Sequence, residues 1–147
     1  MSGGKDTYMN PIKKAYGYVT RTREGKTQVL VFRHSNAEAG IQIPKGTVKP
    51  KEDTYNAVIR EIEEETGLRN FKVENLIAED IWENDDGAIH NRFFYKITVS
   101  SIEDEWDYHP TGGGEEDGLT FHYFWISSID DVELIRGHGD YLNLVLN

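Results

Sequence analysis

The chain has 147 residues, a formal net charge of −10 and no cysteine. That length suits one domain around one hydrophobic core, and the lack of cysteine excludes a disulfide framework and any thiolate metal site. Three Trp, eight Tyr and six Phe argue for a folded globular protein, since disordered chains are poor in such residues. The charge is unevenly spread: residues 1–51 carry ten Lys or Arg against three acids, and residues 97–135 carry ten acids and no Lys or Arg. With no basic stripe, a nucleic-acid polymer is not an expected partner. A basic segment beside an acidic one suits a small phosphorylated substrate, its charge shared between cationic side chains and metal ions. Neither a signal peptide nor an apolar run of membrane-spanning length is visible, which predicts a soluble, cytoplasmic protein with no membrane partner.

In chain order, residues 15–22 and 28–33 (QVLVFR) read as strands joined by Arg23-Glu24-Gly25-Lys26, a predicted hairpin. Residues 41–43 form a short strand that ends at Pro44. Over 53–66 the period becomes helical, with Tyr55, Val58, Ile59 and Ile62 on one face. Asp53 or Thr54 caps its start, and Gly67 is the left-handed residue that ends it. Residues 71–83 are extended, Asn84-Asp85-Asp86-Gly87 has hairpin-turn chemistry, and 90–99 (HNRFFYKITV) is a strong strand. The acidic, glycine-rich stretch 101–118 predicts a loop, 119–126 (LTFHYFWI) another strand, and 141–146 a short closing helix. Strands around one strong helix indicate an α/β or α+β domain on a mixed sheet.

The helix carries a crowd of acids, Arg60-Glu61-Ile62-Glu63-Glu64-Glu65-Thr66-Gly67. Like charges three or four apart repel by roughly 0.2–0.5 kcal/mol per pair, and acids in a last turn face the negative end of the helix dipole. At about 100° per residue, Glu61, Glu64 and Glu65 share one face, with the small Ala57 among them, and Glu63 points away. Geometry alone allows two readings: a solvated acidic helix end, or a platform for a hard divalent cation with oxygen ligands. A solvated end would carry lysines at four-residue spacing, and only Arg60 is basic between Glu52 and Leu68.

The preceding residues decide between them. Gly46, five residues, Glu52, seven residues and then Arg60-Glu61-Ile62-Glu63-Glu64-Glu65-Thr66-Gly67-Leu68 match every specified position of the 23-residue Nudix box, in which nine spaced positions are fixed. The chain resembles a Nudix hydrolase, specifically over 46–68 and more loosely elsewhere. The resemblance implies a single domain over 1–147, an α/β/α sandwich with a mixed β-sheet, and cleavage of a diphosphate linkage in a nucleoside diphosphate joined to another group. It implies that Glu61, Glu64 and Glu65 hold Mg²⁺ or Mn²⁺ with help from the Gly46 carbonyl. Glu52 and Arg60 then form the ion pair that ties loop to helix and orients those carboxylates. One of the metal-side glutamates, or an acid from a neighbouring loop, acts as general base, and Glu63 is dispensable. Lys49 and Lys51 stand where family members often carry Glu and Gly, which makes this loop unusually basic.

Ile43-Pro44-Lys45-Gly46 resembles the L-P-K-G of Nudix enzymes acting on dinucleoside polyphosphates and diphosphoinositol phosphates. Lys45, Lys49, Lys51 and Arg33 are therefore candidates for binding a phosphate chain, with Arg33 ranked first because it ends an apolar strand just before the box. Glu115 or Glu116, after Gly112-Gly113-Gly114, is either an extra acid brought to the substrate and metals or part of a plain acidic loop. Trp82, Trp106, Tyr108 and Trp125 are candidates for stacking on a base, Trp125 together with Phe121 reading rather as core. The five histidines, His34, His90, His109, His122 and His138, show no metal-ligand spacing and take no role. Two alternatives carry less. A non-catalytic Nudix-like module that binds a nucleotide or a protein would usually lack one of the three metal glutamates, and a calcium-binding domain would need a longer ligand loop than Asn84-Asp85-Asp86-Gly87. A homodimer is among the expected assemblies.

Overall fold

A computed structural model describes residues 11–100, 103–112 and 118–146. Strands β1 (Ile12–Arg23) and β2 (Lys26–His34) form the expected hairpin. Glu24 and Gly25, its two turn residues, both have positive φ, as a two-residue hairpin loop with the right strand twist demands. Two short strands follow, β3 (Ile41–Gln42) and β4 (Lys45–Thr47), then the helix α1 (Thr54–Thr66). The second hairpin is β5 (Phe71–Glu83) and β6 (Ile89–Val99), and the last pair is β7 (Glu105–Tyr108) and β8 (Phe121–Ile126). This is an α/β fold: one mixed eight-stranded sheet with the main order β5-β6-β1-β2-β8-β7, β4 added to β1 and β3 to β2. Among the eight described strands only β1 and β6 pair in parallel, their connection carrying α1 across the sheet.

Alternation along the strands feeds two cores. Ala15, Val19, Leu30, Phe32 and Ile97 pack beneath α1 with Val58 and Ile62. Tyr16, Tyr18, Val29, Val31 and Phe94 face the other way, where Leu142 and Leu146 of the C-terminal stretch cover them. That stretch is the second outer layer, and the helix expected over 141–146 is a single 3-10 turn, Leu142–Leu144. It is pinned by Arg92, only 1% exposed, which donates to Asp80, to Asp140 and to the Gly137 carbonyl. A buried guanidinium needs such partners to offset its desolvation.

The helix ends follow the sequence. Asp53 accepts a hydrogen bond from the Asn56 N–H at 2.7 Å, and Gly67 takes φ +78° and donates to the Glu63 carbonyl. Its orientation differs from the expected one. Tyr55 is half exposed, and the buried stripe is Ala57, Val58, Glu61, Ile62, Glu65 and Thr66. The helix is thus rolled so that part of its acidic face lies against the sheet. A second correction concerns 101–118, where β7 replaces part of the expected loop: Trp106 and Tyr108 alternate inward between the exposed Glu105 and Asp107, a pattern masked by the flanking charge.

Lys51, at the position where the Nudix resemblance leads one to expect glycine, has φ +68°. A side chain in that region costs roughly 1–2 kcal/mol, and glycine gives back about 0.5–1 kcal/mol through the unfolded chain. Lys51→Gly is expected to stabilise the fold by up to about 1 kcal/mol, a rise of about 2–4 °C in Tm. Lys51→Ala, which keeps the strain, is expected to leave Tm unchanged.

Candidate active site

The sheet divides to make room for the site. β1 pairs with β2 only over residues 20–23 and 26–29. Nearer its start it pairs with β4, Lys14 opposite Thr47, Ala15 opposite Gly46 and Tyr16 opposite Lys45. The Ile43-Pro44 link crosses the division, held by a bond from the Gly17 N–H to the Pro44 carbonyl. Gly46 is thereby fixed under α1, and the loop that follows returns along the helix.

The fit at Gly46 is close. A Cβ there would lie 1.9 Å from Glu61 Cδ and 2.0 and 2.3 Å from its carboxylate oxygens. Only glycine leaves the volume that the Glu61 carboxylate fills. Glu65, 3% exposed, accepts from the Lys45 N–H at 3.1 Å. Arg60 spans the rest: it bonds both Glu52 oxygens at 2.8 and 2.9 Å, Glu61 at 2.6 Å, Glu64 at 3.1 Å and the Thr47 carbonyl at 3.0 Å. These guanidinium bonds hold the Glu52 carboxyl well below the usual range, at about 2, and hold Arg60 still more firmly in its charged form.

Glu61, Glu64 and Glu65 line one cleft of about 390 Å³, together with Lys14, Lys45, Lys49, Arg60, Gly46, Thr47, Thr111 and Gly112. Each acid is bound to a neighbouring donor, and among the described residues no group of three or more His, Cys, Asp or Glu side chains is drawn together as a closed metal-ligand set. The donor chemistry still fits a small hard cation: three carboxylates on one helical face, two of them buried, beside a main chain that can be approached closely. Buried carboxylates are costly unless matched by positive charge, and the cleft supplies Arg60, Lys14, Lys45 and Lys49 beside any cation it admits.

Other predicted residues lie elsewhere. Arg33, ranked first among the phosphate-binding candidates, is away from the cleft, its guanidinium 4.4 Å over the Phe124 ring in a shallow depression shared with Arg21 and Arg23. Its side of β2 pairs with β3 and β8 rather than with β4, so closeness in sequence to the box did not become closeness in space. Lys51 does not line the cleft. Glu63 faces Arg69, at 3.4 Å. Glu115 and Glu116 lie outside the described residues. The four aromatic stacking candidates have protein partners: Trp82 on Arg92, Trp125 on Arg21, Trp106 on Tyr123 and Tyr108 on Gly67. Lys14, Thr47, Thr111 and Gly112 were not anticipated. Lys14 arrives through its pairing with Thr47, whose hydroxyl accepts from its ammonium at 2.7 Å, and Thr111 through a bond from its N–H to the Glu64 carbonyl at 2.9 Å.

The family model of the NUDIX domain matches residues 12–130. The chain belongs to the NUDIX family. Within it, the chain is 26% identical over 115 residues to human diphosphoinositol polyphosphate phosphohydrolase 2, a match covering 78% of this chain and 58% of that protein. The mouse protein of the same name gives the same figures, so this NUDIX chain spans under two thirds of the length of these curated relatives. Among solved structures, a C. elegans Ap4A hydrolase binary complex superposes with a TM-score of 0.63 at 21% identity, over 82% of each chain. A MutT NUDIX hydrolase from Burkholderia pseudomallei superposes with a TM-score of 0.63 at 23% identity, over 92% of this chain and 98% of that one. At such identities the structural likeness is one of fold. Among the described residues no helix is long and apolar enough to cross a membrane.

Proposed function

We propose that this NUDIX domain hydrolyses a diphosphate linkage in a small polyphosphorylated compound, a nucleoside diphosphate derivative such as a dinucleoside polyphosphate or a nucleoside triphosphate, and that it requires Mg²⁺ or Mn²⁺. The observation that carries this reading is the meeting of Glu61, Glu64 and Glu65 with Gly46 and with Lys14, Lys45 and Lys49 in one cleft. The relatives named for diphosphoinositol polyphosphates and for Ap4A support a small polyphosphorylated substrate, and of the two only Ap4A is a nucleotide.

Glu61, Glu64 and Glu65, with the Gly46 carbonyl, would hold the cation, whose chemistry there would be to screen the charge of the phosphate oxygens. The chain's own groups supply the rest. Arg60 fixes the directions of Glu61 and Glu64 while Glu52 fixes Arg60. Lys14, Lys45 and Lys49 offer ammonium groups to non-bridging phosphate oxygens. A carboxylate of the site takes the proton of the attacking water as the water closes on phosphorus in line with the leaving oxygen.

The test is product analysis by phosphorus NMR, with Mg²⁺, on a panel of nucleoside triphosphates, dinucleoside polyphosphates, nucleotide sugars and diphosphoinositol phosphates. Cleavage of one class, stopped by a chelator and by Glu64→Gln, is the expected result. Nucleotide binding without cleavage anywhere on the panel would overturn it and mark the domain as a binding module. On the substrate so found, Arg60→Lys is expected to lower kcat/KM by about 10–100-fold, because an ammonium cannot keep Glu52, Glu61 and Glu64 bonded together.

A further inference from the structure

We propose that His122 is a positioning residue for the carboxylate helix: as an imidazolium it clamps the edge strand β7 onto β8, and β7 holds the last turn of α1, on which Glu64 stands. This rests on the reading of Glu64 as a residue of the site.

His122 lies on β8 between two carboxylates of β7, with Nδ1 2.7 Å from Asp107 Oδ1 and Nε2 2.8 Å from Glu105 Oε1. A neutral imidazole has one N–H and one acceptor nitrogen, so it can donate to only one of them. Both contacts are hydrogen bonds only when both ring nitrogens carry protons. Without the second proton, one carboxylate loses its donor and two acids face each other across the ring. Among the described residues, the other charged or titratable groups facing it from the elements packed beside it are Arg33 and His109. Arg33 pairs opposite His122 on β2 with its guanidinium over Phe124, and His109 of the β7 side contacts the Thr120 hydroxyl and the Leu119 carbonyl.

β7 has four residues and, among the described residues, pairs with β8 alone, so side chains must supply much of its anchorage. Its inward residues reach the end of α1. Trp106 stacks on Tyr123 with 5.2 Å between ring centroids and donates its indole N–H to the Thr66 carbonyl at 3.1 Å. The Tyr108 ring lies against Gly67. Three residues further on, the Thr111 N–H caps the Glu64 carbonyl, one of the helix-end acceptors that lack an intrahelical donor. Gly112 then touches the Glu64 carboxylate, Oε2 standing 2.7 Å from where a Cβ would be. A continuous set of contacts thus runs from His122 through β7 to a carboxylate of the cleft. The two carboxylates also hold the His122 proton more tightly than usual. The clamp is therefore complete below the ordinary value of 6.5 and is released as pH rises through the higher value of the folded protein.

The test follows the His122 ring, the Trp106 indole N–H and the Thr111 amide by NMR between about pH 5 and 9, in wild type, H122Q and E105Q/D107N. In wild type the three signals are expected to move together with a midpoint above 6.5. In H122Q the Trp106 and Thr111 signals stay flat, and in E105Q/D107N the midpoint falls. The ratio of wild-type to H122Q hydrolysis should fall towards one with the same midpoint, the pH dependence common to both proteins cancelling. Overturning results are Trp106 and Thr111 signals that ignore the His122 titration, a His122 midpoint at or below 6.5, or signals that move together while that ratio stays level. If the signals move together and no substrate is cleaved, the clamp stands and the hydrolase reading fails.

Discussion

Glu64→Gln is expected to lower hydrolysis by at least about a hundredfold, while Glu63→Gln leaves it within about twofold, as surface changes do. The two glutamates are neighbours in sequence, carry the same charge and differ in direction. Glu64 lines the cleft and is held by Arg60 at 3.1 Å, whereas Glu63 faces Arg69 on the far side. Glutamine keeps the size and one acceptor oxygen of the side chain and removes its charge, so it cannot balance a divalent cation or accept a proton from water. Glu64→Gln should not lower Tm by a comparable effect, because it relieves repulsion on a face that also carries Glu61 and Glu65. A pair of steady-state assays with melting curves checks this. Equal losses in both variants would show that the acidic helix end acts only through its total charge.

Gly46→Ala is expected to be the most damaging Gly→Ala change among the described glycines. The new Cβ would meet the Glu61 carboxyl carbon at 1.9 Å, far inside any contact that atoms tolerate. The side chain cannot swing away freely, because Glu61 is 8% exposed and bonded to Arg60 at 2.6 Å. The backbone cannot retreat either, since β4 is paired with β1 at Ala15. Overpacking of this kind costs about 1–3 kcal/mol. The loss appears twice, as a lowered Tm and as hydrolysis reduced to the level of Glu61→Gln. Wild-type activity and Tm in Gly46→Ala would mean that the contact between Gly46 and Glu61 is not part of the working site.

Much of this was legible in the sequence, for identifiable reasons. The box from Gly46 to Leu68 encodes its geometry through spacing, and Asp53 and Gly67 mark the helix ends by local chemistry that needs no tertiary context. Both hairpins were marked by their turn residues. What escaped depends on contacts distant in sequence. β4 has three residues and exists because β1 offers it a partner, and Lys14 enters the cleft by that same pairing. β7 was hidden because Glu105 and Asp107 surround the two aromatic residues that anchor it. Arg33 was misplaced because closeness in sequence to the box is not closeness in space, its end of β2 pairing with β3 and β8, and Tyr55 because periodicity says which residues share a face and not where that face is turned. The roll of α1, which buries Glu61 and Glu65 and leaves Tyr55 half exposed, is set by packing against β1 and β4.

A divalent-cation platform on the glutamate face of α1, beside Gly46, is tested without assuming any substrate by titrating the protein into Mn²⁺ and following the free ion by electron paramagnetic resonance. Loss of the free-ion signal in wild type, with an affinity at least about tenfold weaker in Glu64→Gln and unchanged in Glu63→Gln, is the expected result. Equal uptake of Mn²⁺ by all three proteins would place the cation elsewhere and contradict a platform on α1.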